Sequence, residues 1–143
     1  MNRLDPYGLK LVQVTLPGLG EAYLDSSMIG IVNFFVFNAK EYGINVTFSG
    51  AFRDTEKQST LNNSNSTTPG NSLHEAGYAV DINWRRIPEN SRGLVVDAAA
   101  HAGLSWGGDF NKPDPVHFYM NPEGSRPDAI RDAQSTYKNL TCR

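Results

Sequence analysis

The run from Leu73 to Asp81, Leu-His-Glu-Ala-Gly-Tyr-Ala-Val-Asp, limits what this chain can build more than any other stretch. Gly77 permits a tight bend between His74 and the residues that follow. Beyond the bend, a strand over Gly77–Trp84 sends Val80 and Ile82 to one face and Ala79 and Asp81 to the other. The first pair belongs in a core. Asp81 then stands on the opposite face among small neighbours, where His74 can converge on it from the preceding loop. An imidazole beside a carboxylate is half of a zinc site.

A second segment, Asp114-Pro115-Val116-His117-Phe118, completes the pattern. In a strand over Val116–Met120, Val116 and Phe118 point one way, and His117 and Tyr119 the other. His117 can supply a third ligand. Three protein ligands leave a fourth position open, which is the catalytic zinc arrangement. Asp114 lies between Pro113 and Pro115, whose fixed backbone frees it from strand parity. Its carboxylate can take a proton from an attacking water and hand it to a leaving amine. Taken singly, each residue has an ordinary role: a core histidine, a capping aspartate, a turn aspartate. Their joint spacing points to a metal centre.

Around these segments the chain reads as α+β. Residues 1–20 form an irregular lead-in with Pro6, Gly8, Pro17, Gly18 and Gly20, in which Leu9, Leu11 and Val14 allow a short extended piece. Apolar residues from Glu21 to Tyr42 follow the helical period, and Gly43 supplies a stop. Ile44–Ser49 alternates as a strand, and Ala51–Leu61 suits a short helix. Asn62–Ser72 contains only Asn, Ser, Thr, Pro and Gly, so an exposed, mobile loop that could close over a substrate is expected. Ser91–His101 is a helix stopped at Gly103, and 127–140 is a terminal helix. The order gives a small, mostly antiparallel sheet packed with helices.

At 143 residues the chain suits one domain, 1–143. A net charge of −2 lacks the basic footprint of a nucleic-acid binder. The most apolar run, Met28–Phe37, is half the ~20 residues of a membrane span. No signal peptide is visible, and Cys142 is the single cysteine, so neither an intrachain disulfide nor a thiolate zinc finger is expected. His101 falls in the last turn of a helix, where the dipole favours it, and is set apart from the metal.

Ser-x-His-x-x-Gly-x-Ala-x-Asp followed by Asp-x-x-His-Phe resembles the D-alanyl-D-alanine carboxypeptidase / L-alanyl-D-glutamate endopeptidase family of zinc peptidases, the VanY and phage endolysin type. Ser72, His74, Gly77, Ala79 and Asp81 match the first motif, and Asp114 and His117 the second. Gly103–Phe110 resembles the family's Gly-x-x-Trp-Gly-Gly stretch. Thr47–Arg53 resembles its Ser-Gly-Tyr/Phe-Arg segment with Ala51 as an extra residue, and Gln58 falls where the family often has Gln. The resemblance implies the fold shared by DD-peptidases and the Hedgehog signalling domain. It implies Zn²⁺ on His74, Asp81 and His117, and Asp114 as general base. It implies Arg53 on a substrate carboxylate, as its forked cation allows, where a surface salt bridge is the plain alternative. Ser72 is expected to bond substrate, to orient His74 or to serve as a turn hydroxyl. Trp106 is expected to pack behind the metal.

The expected function is hydrolysis of peptidoglycan stem peptides by a monomer at the cell wall, delivered by lysis, a secretion system or a removed leader. The short chain, Asp114 and the Trp-Gly-Gly stretch favour an L-alanyl-D-glutamate endopeptidase. A D-alanyl-D-alanine carboxypeptidase stays open, as does a zinc-holding binding module without turnover.

Overall fold

The computed structural model describes residues 10–55 and 71–142. It opens with a hairpin. Strand β1 (Leu11–Leu16) pairs antiparallel with β2 (Gly20–Asp25), Leu11 opposite Asp25 and Leu16 opposite Gly20. The lead-in therefore contains a strand, and the helix expected from Glu21 begins only at Ser26. The reason is local. Ala22 and Leu24 are buried while Tyr23 between them is not, which is a strand period. Asp25 then caps helix α1 (Ser26–Glu41): its Oδ2 accepts from Ser27 N at 3.0 Å and from Ser27 Oγ at 2.6 Å. Along α1, Met28, Val32, Phe35 and Ala39 form the buried stripe, and the helix stops before Gly43, as expected.

The main sheet has the order β3-β4-β6-β5, with every pairing antiparallel. Its strands are short: β3 (Phe48–Gly50), β4 (Ala79–Ile82), β5 (Ser105–Trp106) and β6 (His117–Tyr119). Val80, Ile82 and Phe118 face the core, with Phe118 5.3 Å and Phe48 6.3 Å from the Phe35 ring centroid. Each such fully buried side chain contributes about 1.5–3 kcal/mol. Helix α2 (Arg92–Ala102) packs Val95, Ala98 and Ala99 into the core, and Asn38 of α1 donates to Ala98 O at 3.1 Å. Helix α3 (Arg126–Thr141) starts from a Ser125 cap with Pro127 in its first turn, and buries Ile130 and Ala133. This is the expected α+β class. The expected loop Asn62–Ser72, apart from Asn71 and Ser72, lies outside the described residues, as do Gln58 and most of the short helix expected in Ala51–Leu61.

Gly77 joins the hairpin to the turn that carries His74. It has φ +80°, and its carbonyl accepts from Asp25 N at 2.9 Å. A Cβ there would stand 2.8 Å from both Asp25 N and Leu11 Cδ1. Gly77→Ala combines left-handed strain with overpacking against backbone, and is expected to lower unfolding free energy by roughly 2–4 kcal/mol. Urea titration checks this; a loss below about 1 kcal/mol would mean that the junction yields freely.

Candidate metal centre

His74 is set by its backbone. Leu73–Ala76 is one 3-10 turn, begun by a capping box in which Ser72 Oγ accepts from His74 N at 3.1 Å and Glu75 Oε1 accepts from Ser72 N at 2.9 Å. Gly77 ends it in the left-handed region. The imidazole is 3% exposed, and its Nδ1 lies 2.8 Å from Ala51 O. A carbonyl can only accept, so Nδ1 carries the proton and the Nε2 lone pair is left facing the site. Ala51, the extra residue of its segment, thus supplies the carbonyl that fixes the tautomer.

Asp81 and His117 face each other because β4 and β6 pair in the register Asp81 opposite His117. Asp81 Oδ1 lies 3.1 Å from His74 Nε2 and 3.2 Å from His117 Nδ1, and the two ring nitrogens are 3.2 Å apart. Tetrahedral zinc with bonds of about 2.0–2.1 Å separates its donors by roughly 3.3 Å. Two neutral imidazole lone pairs repel at such a distance unless a proton or a cation sits between them. The donor set therefore fits Zn²⁺. Burial opposes charge on Asp81, but positive charge at the His74 and His117 positions, whether a proton or a cation, outweighs it. That charge holds the carboxyl well below the usual carboxylate range.

Arg53 donates to the outer oxygen, Asp81 Oδ2, at 2.9 Å. It is thus the salt-bridged arginine of its plain reading, with its other donors still available to a substrate. Asp114 is half-buried at the edge of the cluster. Burial and then the Asp81 charge raise its carboxyl above the ordinary value, while His117, His74 and Arg53 pull the other way. Its N–H donates to Gly107 O at 2.9 Å, and its carbonyl accepts from His117 N at 3.1 Å. A Cβ on Gly107 would stand 2.6 Å from Asp114 O, so only glycine lets this loop close on β6. Trp106 packs behind, donating from Nε1 to Pro115 O at 2.9 Å and stacking on Trp84 at 5.8 Å. Ser72 is buried, and its hydroxyl oxygen accepts from the His74 N–H, which fits it to orient His74. His101 is exposed and bonds Asp97 O, away from the cluster.

Sequence reading missed Gln134. From α3 its Nε2 donates to Arg53 O at 3.1 Å and to Glu75 O at 2.8 Å, and its Oε1 accepts from Thr55 N at 2.9 Å. One amide thus ties the arginine segment to the histidine turn. A single Gln in a polar helix carries no signal of this.

Residues 65–120, which carry His74, Asp81, Asp114 and His117, match the sequence model of a family described as D-alanyl-D-alanine carboxypeptidase. No curated protein shows a sequence match. Among solved structures, a variant of the vancomycin resistance D,D-pentapeptidase VanY with Zn(II) is similar at TM-score 0.63 and 18% identity, over 97% of this chain and 90% of that one. VanYB in complex with D-alanine-D-alanine follows at TM-score 0.61 and 16%, over 99% and 92%. The Serratia marcescens L-Ala D-Glu endopeptidase ChiX has TM-score 0.54 and 18% identity, over 68% and 80%. The match over residues 65–120 agrees with the family resemblance read from the sequence, the solved structures share the fold, and His74, Asp81 and His117 form a group that could hold a metal ion.

Zinc on these three side chains leads to an expected stoichiometry of one per chain by elemental analysis. His117→Ala should abolish stoichiometric loading and His101→Ala should not. Equal effects would mean that the third ligand lies elsewhere. Gln134→Leu keeps the bulk but removes all three hydrogen bonds. It is expected to weaken zinc binding by roughly 10-fold in a competition titration with helix content unchanged; wild-type affinity would leave Gln134 without a part in the centre.

Proposed function

We propose that residues 1–143 act as one monomeric zinc peptidase domain that cuts the L-alanyl–D-glutamate bond of peptidoglycan stem peptides at the cell wall. His74, Asp81 and His117 of one chain bring three ligand atoms together, which supports the monomeric reading. Among the described residues, no helix is long and apolar enough to cross a membrane.

His74, Asp81 and His117 would hold the metal. When bound there, zinc supplies Lewis-acid polarisation of a carbonyl and acidifies water. The chain does the rest. Asp114, kept partly away from solvent, receives a proton at its carboxylate and returns it to the departing amine. Arg53, oriented by Asp81, presents its remaining N–H donors to a substrate carboxylate. Trp106 and Gly107 keep the Asp114 turn against His117.

One observation favours the endopeptidase. Arg53, which bonds Asp81, also lines a cavity of about 240 Å³ together with Gly50, Ala51 and Phe52. A carboxypeptidase has to stop its substrate at a terminal carboxylate. A D-glutamyl residue linked through its side chain offers a carboxylate beside the scissile bond while the peptide runs on, and that peptide needs the room. The carboxypeptidase reading rests on the description of the family matched by residues 65–120.

The two are separated by incubating the zinc-loaded protein with a defined stem pentapeptide and weighing the products. Scission after the L-alanine is expected, and loss of only the terminal D-alanine would overturn the proposal. Asp114→Asn should keep its zinc and lose about 10²–10⁴-fold in kcat. A variant that loses its zinc would make Asp114 a ligand, and one with full activity would place the base elsewhere.

A further inference from the structure

Behind the Asp114 turn stands a file of side chains that begins well outside the metal centre. Its far end is Arg92, the first residue of α2. Arg92 Nε donates to Ile87 O at 3.1 Å and Nη2 to Trp84 O at 3.3 Å, and these bonds set the guanidinium over the Trp84 ring, 5.3 Å from its centroid. Trp84 stacks on Trp106 with centroids 5.8 Å apart and planes at 30°. Gly108 closes on the same indole: a Cβ there would overlap Trp106 Cζ2, so backbone lies directly against the ring. Trp106 Nε1 then donates to Pro115 O at 2.9 Å, one residue from Asp114.

Pro113 and Pro115 contribute no N–H to this turn, and the Asp114 N–H and C=O are engaged by Gly107 O and His117 N. The Pro115 carbonyl gives the turn a further anchor, which is only as firm as the indole that donates to it. Stacked rings resist sliding past one another, and an indole face attracts a guanidinium. We infer that Trp84, clamped by Arg92, is a positioning residue for Asp114: it fixes the Trp106 indole, and the indole holds the turn where the Asp114 carboxylate can reach the proton it moves. The inference rests on the reading of Asp114 as the general base. The metal ligands are fixed by other means. His74 is set by its capped turn, and Asp81 and His117 by the register of β4 and β6. A loosened file therefore displaces the Asp114 carboxylate and leaves the ligands in place. A misplacement of about 1 Å caused from a distance can cost on the order of 10²-fold in rate.

The test uses the full zinc-loaded chain and the stem pentapeptide. Trp84→Leu keeps apolar bulk but removes the stack and the seat of the cation. Its kcat is expected to fall roughly 10-fold, with KM and zinc stoichiometry as in the wild type. Trp84→Phe keeps a ring for Trp106 and Arg92 and should recover most of that loss. Arg92→Met keeps the stem without the charge and should cost about 3-fold in kcat; it carries the same test should Trp84→Leu fail to fold. Trp84 and Trp106 are the two tryptophans of the chain, so indole emission reports on the file alone, and it should change in Arg92→Met with helix content unchanged. Adding Trp84→Leu to Asp114→Asn should lower the residual rate by less than about 2-fold, because the group being positioned is gone. Wild-type kcat in the Trp84→Leu and Arg92→Met variants, a parallel loss of zinc, unchanged emission in Arg92→Met, or effects that multiply in the double variant would each overturn the inference and leave Asp114 as the base. Full activity in Asp114→Asn would instead overturn the reading of the base, and the inference with it.

Discussion

Strand β4 meets β6 with Asp81 opposite His117, and most of what the molecule can do follows from that pairing. Side chains alternate across a sheet, so a slip of one residue would turn Asp81 into the core and bring Val80 to the site. The register is held from the core side. Val80, Ile82 and Phe118 are almost fully buried against Phe35 and Phe48, and moving any of them to solvent would forfeit the burial of a large apolar side chain. Short strands with weak ladders can keep so firm a register because the aromatic core behind them sets it. Metal chemistry on one face is thus paid for by hydrophobic packing on the other.

The remaining ligand, His74, obeys a different logic. It lies outside the sheet, and backbone contacts on every side fix its place. Ser72 and Glu75 cap its turn, Gly77 presses the end of that turn on the hairpin, and Arg53 N bonds to His74 O at 3.1 Å. Gln134 then clamps the arginine segment to the histidine turn from the last helix. Four parts of the chain, distant in sequence, converge to hold one imidazole that uses its Nδ1–H on Ala51 O. A catalytic site has to hold its groups to within a fraction of an ångström, and a turn alone is too soft for that.

What could be read in the sequence divides along the same line. Alternation around Asp81 and His117 was visible because burial on one face leaves a period-two trace, and the helices Arg92–Ala102 and Arg126–Thr141 were visible from their caps and stops. The hairpin was not. Ala22, Leu24 and Met28 fit a helical period as well as a strand followed by a helix, and only the Asp25 cap over Ser27 decides between them. The contributions of Ala51 and Gln134 could not have been read at all. The first acts through a carbonyl that every residue possesses. The second bonds to residues 59 to 81 positions away, none of which carries a mark of it. Trp106 lay between these cases: its packing role was legible from the glycines around it, but its hydrogen bond to Pro115 O was not.

Two carboxylates share this centre, and their surroundings push them apart. Asp81 is the more tightly surrounded, yet positive charge at the His74 and His117 positions outweighs its burial, and Arg53 bonds its outer oxygen, so it stays ionised and serves as a fixed anion. Among the described residues, no cation bonds the Asp114 carboxylate as Arg53 bonds Asp81. Burial and the Asp81 charge raise the affinity of Asp114 for a proton, while the more distant cations offset part of that. A pair of acids separated in this way is what proton transfer requires: one group that holds position and charge throughout, and one that can take up a proton and release it. The separation depends on Asp81 being satisfied on both oxygens, Oδ1 by the imidazoles and Oδ2 by Arg53. Arg53 therefore bears on both members of the pair. Its charge lowers the proton affinity of Asp114, and its N–H bonds Oδ2 of the Asp81 carboxylate whose charge raises it. Burial and then the Asp81 charge raise the proton affinity of Asp114, and His117, His74 and Arg53 offset part of that, so the group that would meet the substrate's carboxylate also tempers the group that would move the proton.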